Sequence, residues 1–258
     1  MEMSAADGQF LGMIGISALV FAALCAGAVV AAFIASVSGT AGGLTLLAFM
    51  AFVFPPALLI PIHTVVQLGA AASLGLSRWR YMMWDTVPPF LVGTAIGAAI
   101  GGRIFIGLPE NVLLLTLAVS ILILVWVPGL ARLGPEKGRF LFVGFVVTFL
   151  GVFISATGTL LATFTAAHAP DRRNHIAMVG ILMSIVHIAK LTAFALLGVS
   201  FGSYVPLIVA MIAASFLGTW LGKGVMDRIP ERAFRIGFQI ILTAMALRLI
   251  WIALAETV

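Results

Sequence analysis

Long apolar stretches separated by short polar gaps run through the whole chain. The pattern predicts ten helical segments, at residues 11–35, 41–54, 57–77, 86–106, 110–127, 140–154, 160–167, 175–197, 203–224 and 232–255. About 20 apolar residues are enough for a helix to cross a bilayer. The pattern therefore indicates an all-α polytopic membrane protein. The composition agrees, with 62% hydrophobic residues and a mean hydropathy of +1.22.

Two polar breaks rich in small residues interrupt the apolar pattern. The first break covers residues 36–43 (SVSGTAGG), and the second break covers residues 155–159 (SATGT). Each precedes a helix that is short for a bilayer crossing, and irregular backbone at membrane depth survives only where protein or a water-filled cavity surrounds it. Interrupted segments at corresponding places in two halves are the best sequence pointer to a transporter's binding site. We therefore expect a binding site at the two breaks.

The two halves of the chain repeat each other. A constant offset of 121 residues aligns two glycines, a proline and a glutamate: Gly97 with Gly218, Gly101 with Gly222, Pro109 with Pro230 and Glu110 with Glu231. The two breaks lie 117 residues apart, close to the same offset. Five segments per half is an odd number, so the second half enters the membrane the other way up. We predict two inverted-topology repeats of five helices, residues 1–128 and 140–258, joined by a cytoplasmic linker at residues 129–139.

The basic residues fall mainly in the gaps between the apolar segments. With the N-terminus outside the cytoplasm, the inward loops hold 11 of the 14 lysines and arginines: Arg78, Arg80, Arg132, Lys137, Arg139, Arg172, Arg173, Lys223, Arg228, Arg232 and Arg235. Inward loops of membrane proteins carry such an excess of basic residues. The sequence therefore predicts both termini outside. The net charge of +5 then reflects membrane topology and not binding to nucleic acid.

The ionisable residues at membrane depth are all basic. His63, His187 and Lys190 lie within apolar segments, whereas every acidic residue falls at a terminus, a loop or a helix end. Ionisable groups within a membrane are costly and mark function by default. A cation site would normally contain carboxylates, so a purely basic site suits an anion. Free N–H groups at the N-termini of the helices after the two breaks add positive partial charge.

These observations give twelve candidate binding residues: Ser38, Gly39, Thr40, Gly42, Gly43, His63, Gln67, Thr157, Gly158, Thr159, His187 and Lys190. His63 and Gln67 share one helix face because they are four residues apart. Structural alternatives stay open at this point. His63 and Gln67 would serve equally in a helix–helix hydrogen bond, Lys190 could pair with a backbone carbonyl, and Arg103 and Arg248 lie near enough to helix ends to snorkel.

The sequence contains no pattern typical of an enzyme. HExxH, CxxC and phosphate-binding loop motifs are absent, and no paired carboxylates lie at membrane depth. The single Cys25 excludes an internal disulfide. We therefore expect a protein that is not an enzyme and has no metal site and no cofactor.

Residues 38–44 (SGTAGGL) and 93–110, together with the proline before the third helix, resemble the TauE/SafE family of sulfite or organosulfonate exporters and related permeases. The resemblance covers nearly the whole chain. It implies a transporter that exports sulfite or a small organosulfonate across a bacterial inner membrane, and we expect it to work by alternating access. The expected partners are this anion and membrane lipid. Glycines at i+4 spacing, Gly93, Gly97 and Gly101, would let helices approach closely and would also permit a homodimer. An anion channel and a permease for another small anion, such as a carboxylate, stay open as alternatives.

Overall fold

The computed structural model describes residues 9–38, 42–126, 138–155, 157–222 and 231–255. These residues form ten α-helices: α1 (Ala18–Ser38), α2 (Gly42–Met50), α3 (Pro56–Leu76), α4 (Val87–Gly107), α5 (Glu110–Trp126), α6 (Arg139–Ile154), α7 (Gly158–Ala166), α8 (Arg172–Leu196), α9 (Val205–Gly222) and α10 (Glu231–Ala255). Short 3₁₀ turns at Trp79–Tyr81, Trp84–Thr86 and Gly202–Tyr204 connect some of them. The fold is helical, as predicted, apart from one small hairpin in which β1 (Gln9–Phe10) pairs antiparallel with β2 (Met13–Ile14).

The predicted start of the first helix is wrong. The prediction placed it at residue 11, whereas α1 begins at Ala18 and residues 9–14 form the hairpin. Gly12 and Gly15 both have a φ of 76°. Glycine adopts this left-handed conformation without the steric cost that other residues incur, so these two positions favour turns over helix. At its other end α1 continues to Ser38, two residues beyond the point where the first break was expected to begin.

Within the part of the chain that the structure describes, five helical segments are long and apolar enough to cross a bilayer: Ala18–Ala35, Pro56–Leu76, Trp84–Gly107, Arg173–Leu196 and Gly202–Gly222. Their outer surfaces are apolar. Leu19, Leu196 and Trp220 are exposed by 80%, 82% and 69%. Large apolar side chains exposed to this degree on helices of this length fit contact with lipid and not with water. The chain is therefore a polytopic membrane protein, and α2 and α7, with nine residues each, are the short helices that the breaks predicted.

The main helix contacts follow a two-fold scheme. The most extensive ones join α4 to α6, α1 to α9, α3 to α8 and α5 to α10. The halves correspond when each helix is exchanged for the helix five positions away in chain order, α1 for α6 and α4 for α9. This exchange turns the α4–α6 contact into the α1–α9 contact. It leaves the α3–α8 and α5–α10 contacts unchanged. A two-fold relation between the halves requires this correspondence. The inverted orientation and the domain boundaries stay predictions, and residues 129–137 of the predicted linker lie outside the described residues.

Glycines allow the closest helix contacts. A methyl group added at Gly93 would overlap the carbonyl oxygen of Leu141 on α6, and one added at Gly97 would lie 2.6 Å from the carbonyl oxygen of Phe145. Gly218, which is 121 residues after Gly97, meets the backbone of α1 in the same manner. The small-residue ladder predicted on α4 is therefore the surface against which α6 packs.

Helices α3 and α8 also touch through glycine. Gly75 and Gly180 face each other, and a methyl group added at Gly75 would lie 2.8 Å from the backbone nitrogen of Ile181. Around this crossing the apolar side chains form two cores. The larger is built mainly from α1, α2, α3, α5, α9 and α10, and the smaller from α4, α6, α7 and α8.

Candidate functional site

Four residues from α2, α3, the second break and α8 form a hydrogen-bonded chain inside the protein. Lys190 Nζ donates to Ser155 Oγ at 3.1 Å, Ser155 Oγ lies 2.9 Å from His63 Nδ1, and His63 Nε2 lies 2.9 Å from the carbonyl oxygen of Gly43. His63 and Lys190 are fully buried, and Ser155 is 1% exposed. We refer to Gly43, His63, Ser155 and Lys190 as the central cluster. It connects the start of α2 to the middle of α8.

The chemistry of the partners fixes the direction of these hydrogen bonds. The Gly43 carbonyl can only accept, so His63 Nε2 donates to it, and the Lys190 amine donates to Ser155. A neutral His63 ring then accepts the Ser155 hydroxyl proton at Nδ1. Thr64 Oγ1 lies 3.2 Å from Ser155 Oγ but donates its own proton to a backbone carbonyl of α3 at 2.7 Å. Ser155 Oγ is therefore the atom through which Lys190 and His63 are linked.

Backbone geometry at the end of α6 directs Ser155 into this position. Ser155 follows the last residue of α6 and has a φ of 58°, while its N–H donates to the carbonyl of Gly151 at 2.9 Å. A non-glycine residue in this left-handed conformation costs roughly 1–2 kcal/mol. The chain turns here so that α7 can begin at Gly158. The left-handed conformation places the Ser155 hydroxyl in the central cluster despite this energetic cost.

Three buried polar atoms, on α8 and around the start of α7, have no hydrogen-bond partner among the described residues: Thr157 Oγ1, Thr159 Oγ1 and His187 Nδ1. Thr157 is 1% exposed and immediately precedes α7, but its side chain makes no capping hydrogen bond. His187 is 2% exposed and lies one turn before Lys190. Buried polar atoms are normally paired. Unpaired donors at the N-terminus of a helix are suited to a ligand that brings acceptor oxygens.

Gly151 on α6 lies close to the side chains of both Thr157 and Lys190. A methyl group added at Gly151 would lie 3.0 Å from Thr157 Oγ1 and 3.7 Å from Lys190 Cδ. The two side chains therefore border the same small space. The lysine has three N–H donors, and Ser155 uses one of them. The other two are available to a ligand.

Any charge carried by the ionisable side chains of this region is positive, and no carboxylate among the described residues balances it. Asp85 and Asp171 are the carboxylates whose side chains the structure describes, and both are exposed. Asp171 caps α8 by accepting from two backbone N–H groups, at 2.7 and 2.9 Å. Neither carboxylate pairs with Lys190. A site of this charge attracts anions and repels cations.

Gln67 faces the same helix start as His63. A methyl group added at Gly43 would lie 2.5 Å from Gln67 Nε2. The shared face that the spacing of His63 and Gln67 predicted is therefore turned toward α2. The helix–helix hydrogen bond considered for His63 is present as well, because its acceptor is the Gly43 carbonyl.

The other predicted residues of the breaks lie at different places. Gly42 packs against the backbone of α1, and Ser38 is the last residue of α1. Gly158 begins α7 and has open space where a methyl group would be. Gly39 and Thr40 lie outside the described residues.

The two arginines noted in apolar segments, Arg103 and Arg248, are exposed, whereas the central cluster is buried. Arg248 is exposed, and its guanidinium lies 4.0 Å from the centre of the Phe52 ring. Arg103 is exposed near the end of α4.

Ser184 donates to the carbonyl of Gly180 at 2.7 Å within α8, so this side chain is engaged with its own helix.

Ser155 and Thr64 were not among the predicted site residues. A signal for Ser155 exists in the sequence, because the offset of 117 residues between the breaks aligns it with Ser38, which was predicted. No comparable signal distinguishes Thr64 from the other threonines of the apolar segments.

An open cavity of about 360 Å³ lies where the first turn of α3, the end of α4, the start of α5 and the end of α8 meet. Phe105 lines it, and the Phe105 ring packs against Phe194 with centroids 5.4 Å apart. Phe194 is fully buried and follows Lys190 by one helical turn on α8. The two rings therefore connect the wall of the cavity to the helical turn that follows Lys190 on α8.

Nearly the whole chain resembles one known protein family. The family model described as Sulfite exporter TauE/SafE matches residues 23–249. No curated protein and no solved structure matches the chain significantly. The matched region contains both breaks, the central cluster and at least part of every helix. The chain therefore belongs to the TauE/SafE family of membrane transporters.

Proposed function

We propose that this protein exports a small sulfur oxyanion, sulfite or a small organosulfonate, across the inner membrane of a bacterium by alternating access. One observation carries the proposal: Lys190 is fully buried beside the unpaired Oγ1 of Thr157, and no described carboxylate compensates its charge. The family match gives the class of substrate. Membership of a transporter family also agrees with the expectation that the protein is not an enzyme.

The available donors define how the anion would be held. The ammonium group of Lys190 offers two N–H donors, and Thr157 and Thr159 each offer a hydroxyl. The backbone N–H groups in the first turn of α7 have no partners within the helix, and the helix dipole adds a positive end there. An oxyanion with several acceptor oxygens satisfies such a set, and charge-assisted hydrogen bonds of this kind are short and strong. His187 and Gln67 would complete the site from α8 and α3.

The release path would lead past the two phenylalanine rings. In the predicted orientation the end of α8 and the start of α3 face the outside, so the cavity lined by Phe105 is the outer vestibule. Separation of Phe105 from Phe194 would open the central cluster to this vestibule. The predicted outside position of both termini and a homodimer belong to the same proposal. Because the ladder glycines Gly93 and Gly97 pack against α6, two copies would pair through other surfaces.

Ligand binding to the purified protein tests the substrate class. Thermal unfolding is followed with sulfite, thiosulfate, sulfoacetate and acetate, because a ligand at 100 times its Kd adds about 2.7 kcal/mol to apparent stability. We expect a sulfur oxyanion to stabilise the protein and Lys190→Gln to remove the effect. Arg248→Gln is the matched control, since it removes an exposed arginine that does not touch the cluster. Stabilisation by acetate alone, or by a cation, would contradict the proposal.

Flux in proteoliposomes separates a carrier from a channel. A carrier gives initial rates that saturate with the concentration of the stabilising anion, and Lys190→Gln abolishes them while the protein still inserts and folds. Flux that stays proportional to concentration would instead favour the anion channel.

A further inference from the structure

The inner face of α8 and the facing side of α3 hold three basic groups in one buried region. His63, His187 and Lys190 are exposed by 0%, 2% and 0%; His63 and Lys190 are linked through Ser155, and His187 lies one turn before Lys190 on α8. Like charges this close would repel each other, and burial penalises each charge further. A positive charge on one of these groups therefore disfavours a charge on the others.

Among the described residues, no other ionisable group faces this region from the helices that make the main contacts with α8. These main contacts are with α3, α4, α6, α7 and the 3₁₀ turn Trp79–Tyr81. Helix α7 has no ionisable residue, and His63 is the one on α3. Arg103 of α4 is exposed, and Arg139 begins α6, where its guanidinium lies 5.6 Å from the Phe164 ring. Within the 3₁₀ turn, Arg80 and Tyr81 are exposed, as is Arg173 at the start of α8, which donates to Tyr81 Oη.

An empty site of this composition resists full protonation. A buried charge without a partner costs several kcal/mol, and its protonation state adjusts to avoid that cost. An anion placed between Lys190 and the N-terminus of α7 removes the penalty, because it supplies the missing opposite charge. Binding of the anion and protonation of the site therefore reinforce each other through thermodynamic linkage.

Lys190 is the group best placed to receive the proton. Both nitrogens of His63 are engaged, with the Gly43 carbonyl and with the Ser155 hydroxyl. Lys190 has two free donor directions and borders the same space as Thr157 Oγ1. A proton gained by Lys190 would face the anion directly.

We propose that a proton enters the site together with the anion and is carried on Lys190, so that the transported unit is an anion–proton pair. This inference rests on the proposed function and adds its co-substrate. With a monovalent anion and one added proton bound, the site would then carry the same net charge as the empty site. The membrane potential would not drive the step that moves the site across the membrane.

Calorimetric titration of the full-length protein with methanesulfonate tests the inference. This anion keeps a constant charge between about pH 6 and pH 9, since sulfonic acids ionise far below the range of side-chain carboxyls. Any proton exchanged on binding therefore belongs to the protein. Titrations in two buffers that differ in ionisation enthalpy give the number of protons taken up for each anion bound. We expect uptake approaching one proton, and an apparent Kd that rises by up to about tenfold per pH unit on the alkaline side.

The outcomes separate the two proposals. Binding of methanesulfonate without proton uptake, and with a Kd independent of pH, overturns the anion–proton pair and leaves anion transport intact. Failure of methanesulfonate and of every sulfur oxyanion in the stability measurement to bind overturns the proposed function itself.

Variants test the assignment to Lys190. Lys190→Arg keeps the positive charge but does not titrate in this range, so we expect proton uptake to fall to near zero in any anion binding that persists. Arg248→Gln should show the same proton number as the unmodified protein. Unchanged proton uptake in Lys190→Arg would overturn Lys190 as the acceptor. If Lys190→Arg does not fold, the pH dependence of Kd in the unmodified protein still decides whether the proton is taken up.

Discussion

His63 and Ser155 are 92 positions apart in the sequence, and yet His63 Nδ1 lies 2.9 Å from Ser155 Oγ. This hydrogen bond joins α3, in the first half of the chain, to the second break. Because His63 also donates to Gly43 in the first turn of α2, one imidazole ring connects the start of α2 to the break that precedes α7. A displacement of α2 relative to Ser155 would change the hydrogen bonds at this ring.

Substitution of Ser155 tests the cluster as a structural element. Ser155→Ala removes the oxygen that pairs with both Lys190 and His63, so we expect a loss of about 1–3 kcal/mol in the free energy of unfolding. Ser155→Gly is the matched variant. It loses the same hydroxyl but adopts the left-handed φ freely, and it should be about 1 kcal/mol more stable than Ser155→Ala. Chemical unfolding in detergent measures both, and equal stability of the two variants would contradict backbone strain at this position.

Thr157→Val separates ligand binding from folding. The Thr157 hydroxyl is buried and unpaired, so its removal should change the free energy of unfolding by less than about 0.5 kcal/mol. The same substitution should weaken anion binding by about tenfold, which corresponds to about 1.4 kcal/mol. Thr148→Val is the control, because Thr148 donates to Thr94 across the α4–α6 contact at 3.3 Å. It should lower stability by about 1 kcal/mol and leave anion affinity unchanged. A stability loss without an affinity loss in Thr157→Val would remove Thr157 from the site.

The α4–α6 contact depends on glycine at Gly93. Gly93→Ala would place a methyl group into the α6 backbone, which cannot retract as a side chain can, and we expect a loss of about 1–3 kcal/mol or more. Gly107→Ala, also on α4, meets no atom within 4 Å and should be neutral or slightly stabilising. Unfolding temperatures of the two variants compare them directly. Equal values would mean that α4 and α6 approach less closely than described.

Phe194 is expected to hinder passage from the outer cavity to Lys190. Phe194→Ala should introduce an anion leak in proteoliposomes that does not saturate with concentration, together with a stability loss of about 3–5 kcal/mol. Phe216→Ala is the control, since Phe216 on α9 is 54% exposed to the lipid side and should cause no leak. The leak is measured as anion flux at concentrations far above saturation of the carrier. A folded Phe194→Ala protein without a leak would show that other residues close the path.

The helices were predictable because each follows from local sequence. Apolar runs longer than a bilayer is thick and polar breaks at corresponding places are signals within single segments. The basic residues at membrane depth were equally visible, and His63 and Lys190 do meet in the structure. The hairpin before α1 was missed because hydropathy alone does not register that Gly12 and Gly15 adopt left-handed turns.

The connections of the site were not predictable in the same way. The role of Ser155 arises from contacts with Lys190 and His63, which are 35 and 92 positions away. A single sequence contains no distance information of that kind. The repeat offset would have suggested Ser155 as the counterpart of Ser38, but it would not have identified which side chains it joins.

Gly75 and Gly180 form the close backbone contact at which a change of tilt between α3 and α8 would pivot. His63 lies 12 residues from Gly75 and Lys190 lies 10 residues from Gly180, which at 1.5 Å per residue makes lever arms of roughly 18 and 15 Å. A tilt of about 10° between the helices at this point would move the far groups by about 3 Å relative to each other, which is the length of a hydrogen bond. A small change of tilt at the glycines would therefore be enough to alter the hydrogen-bond distances between the groups that α3 and α8 contribute to the central cluster.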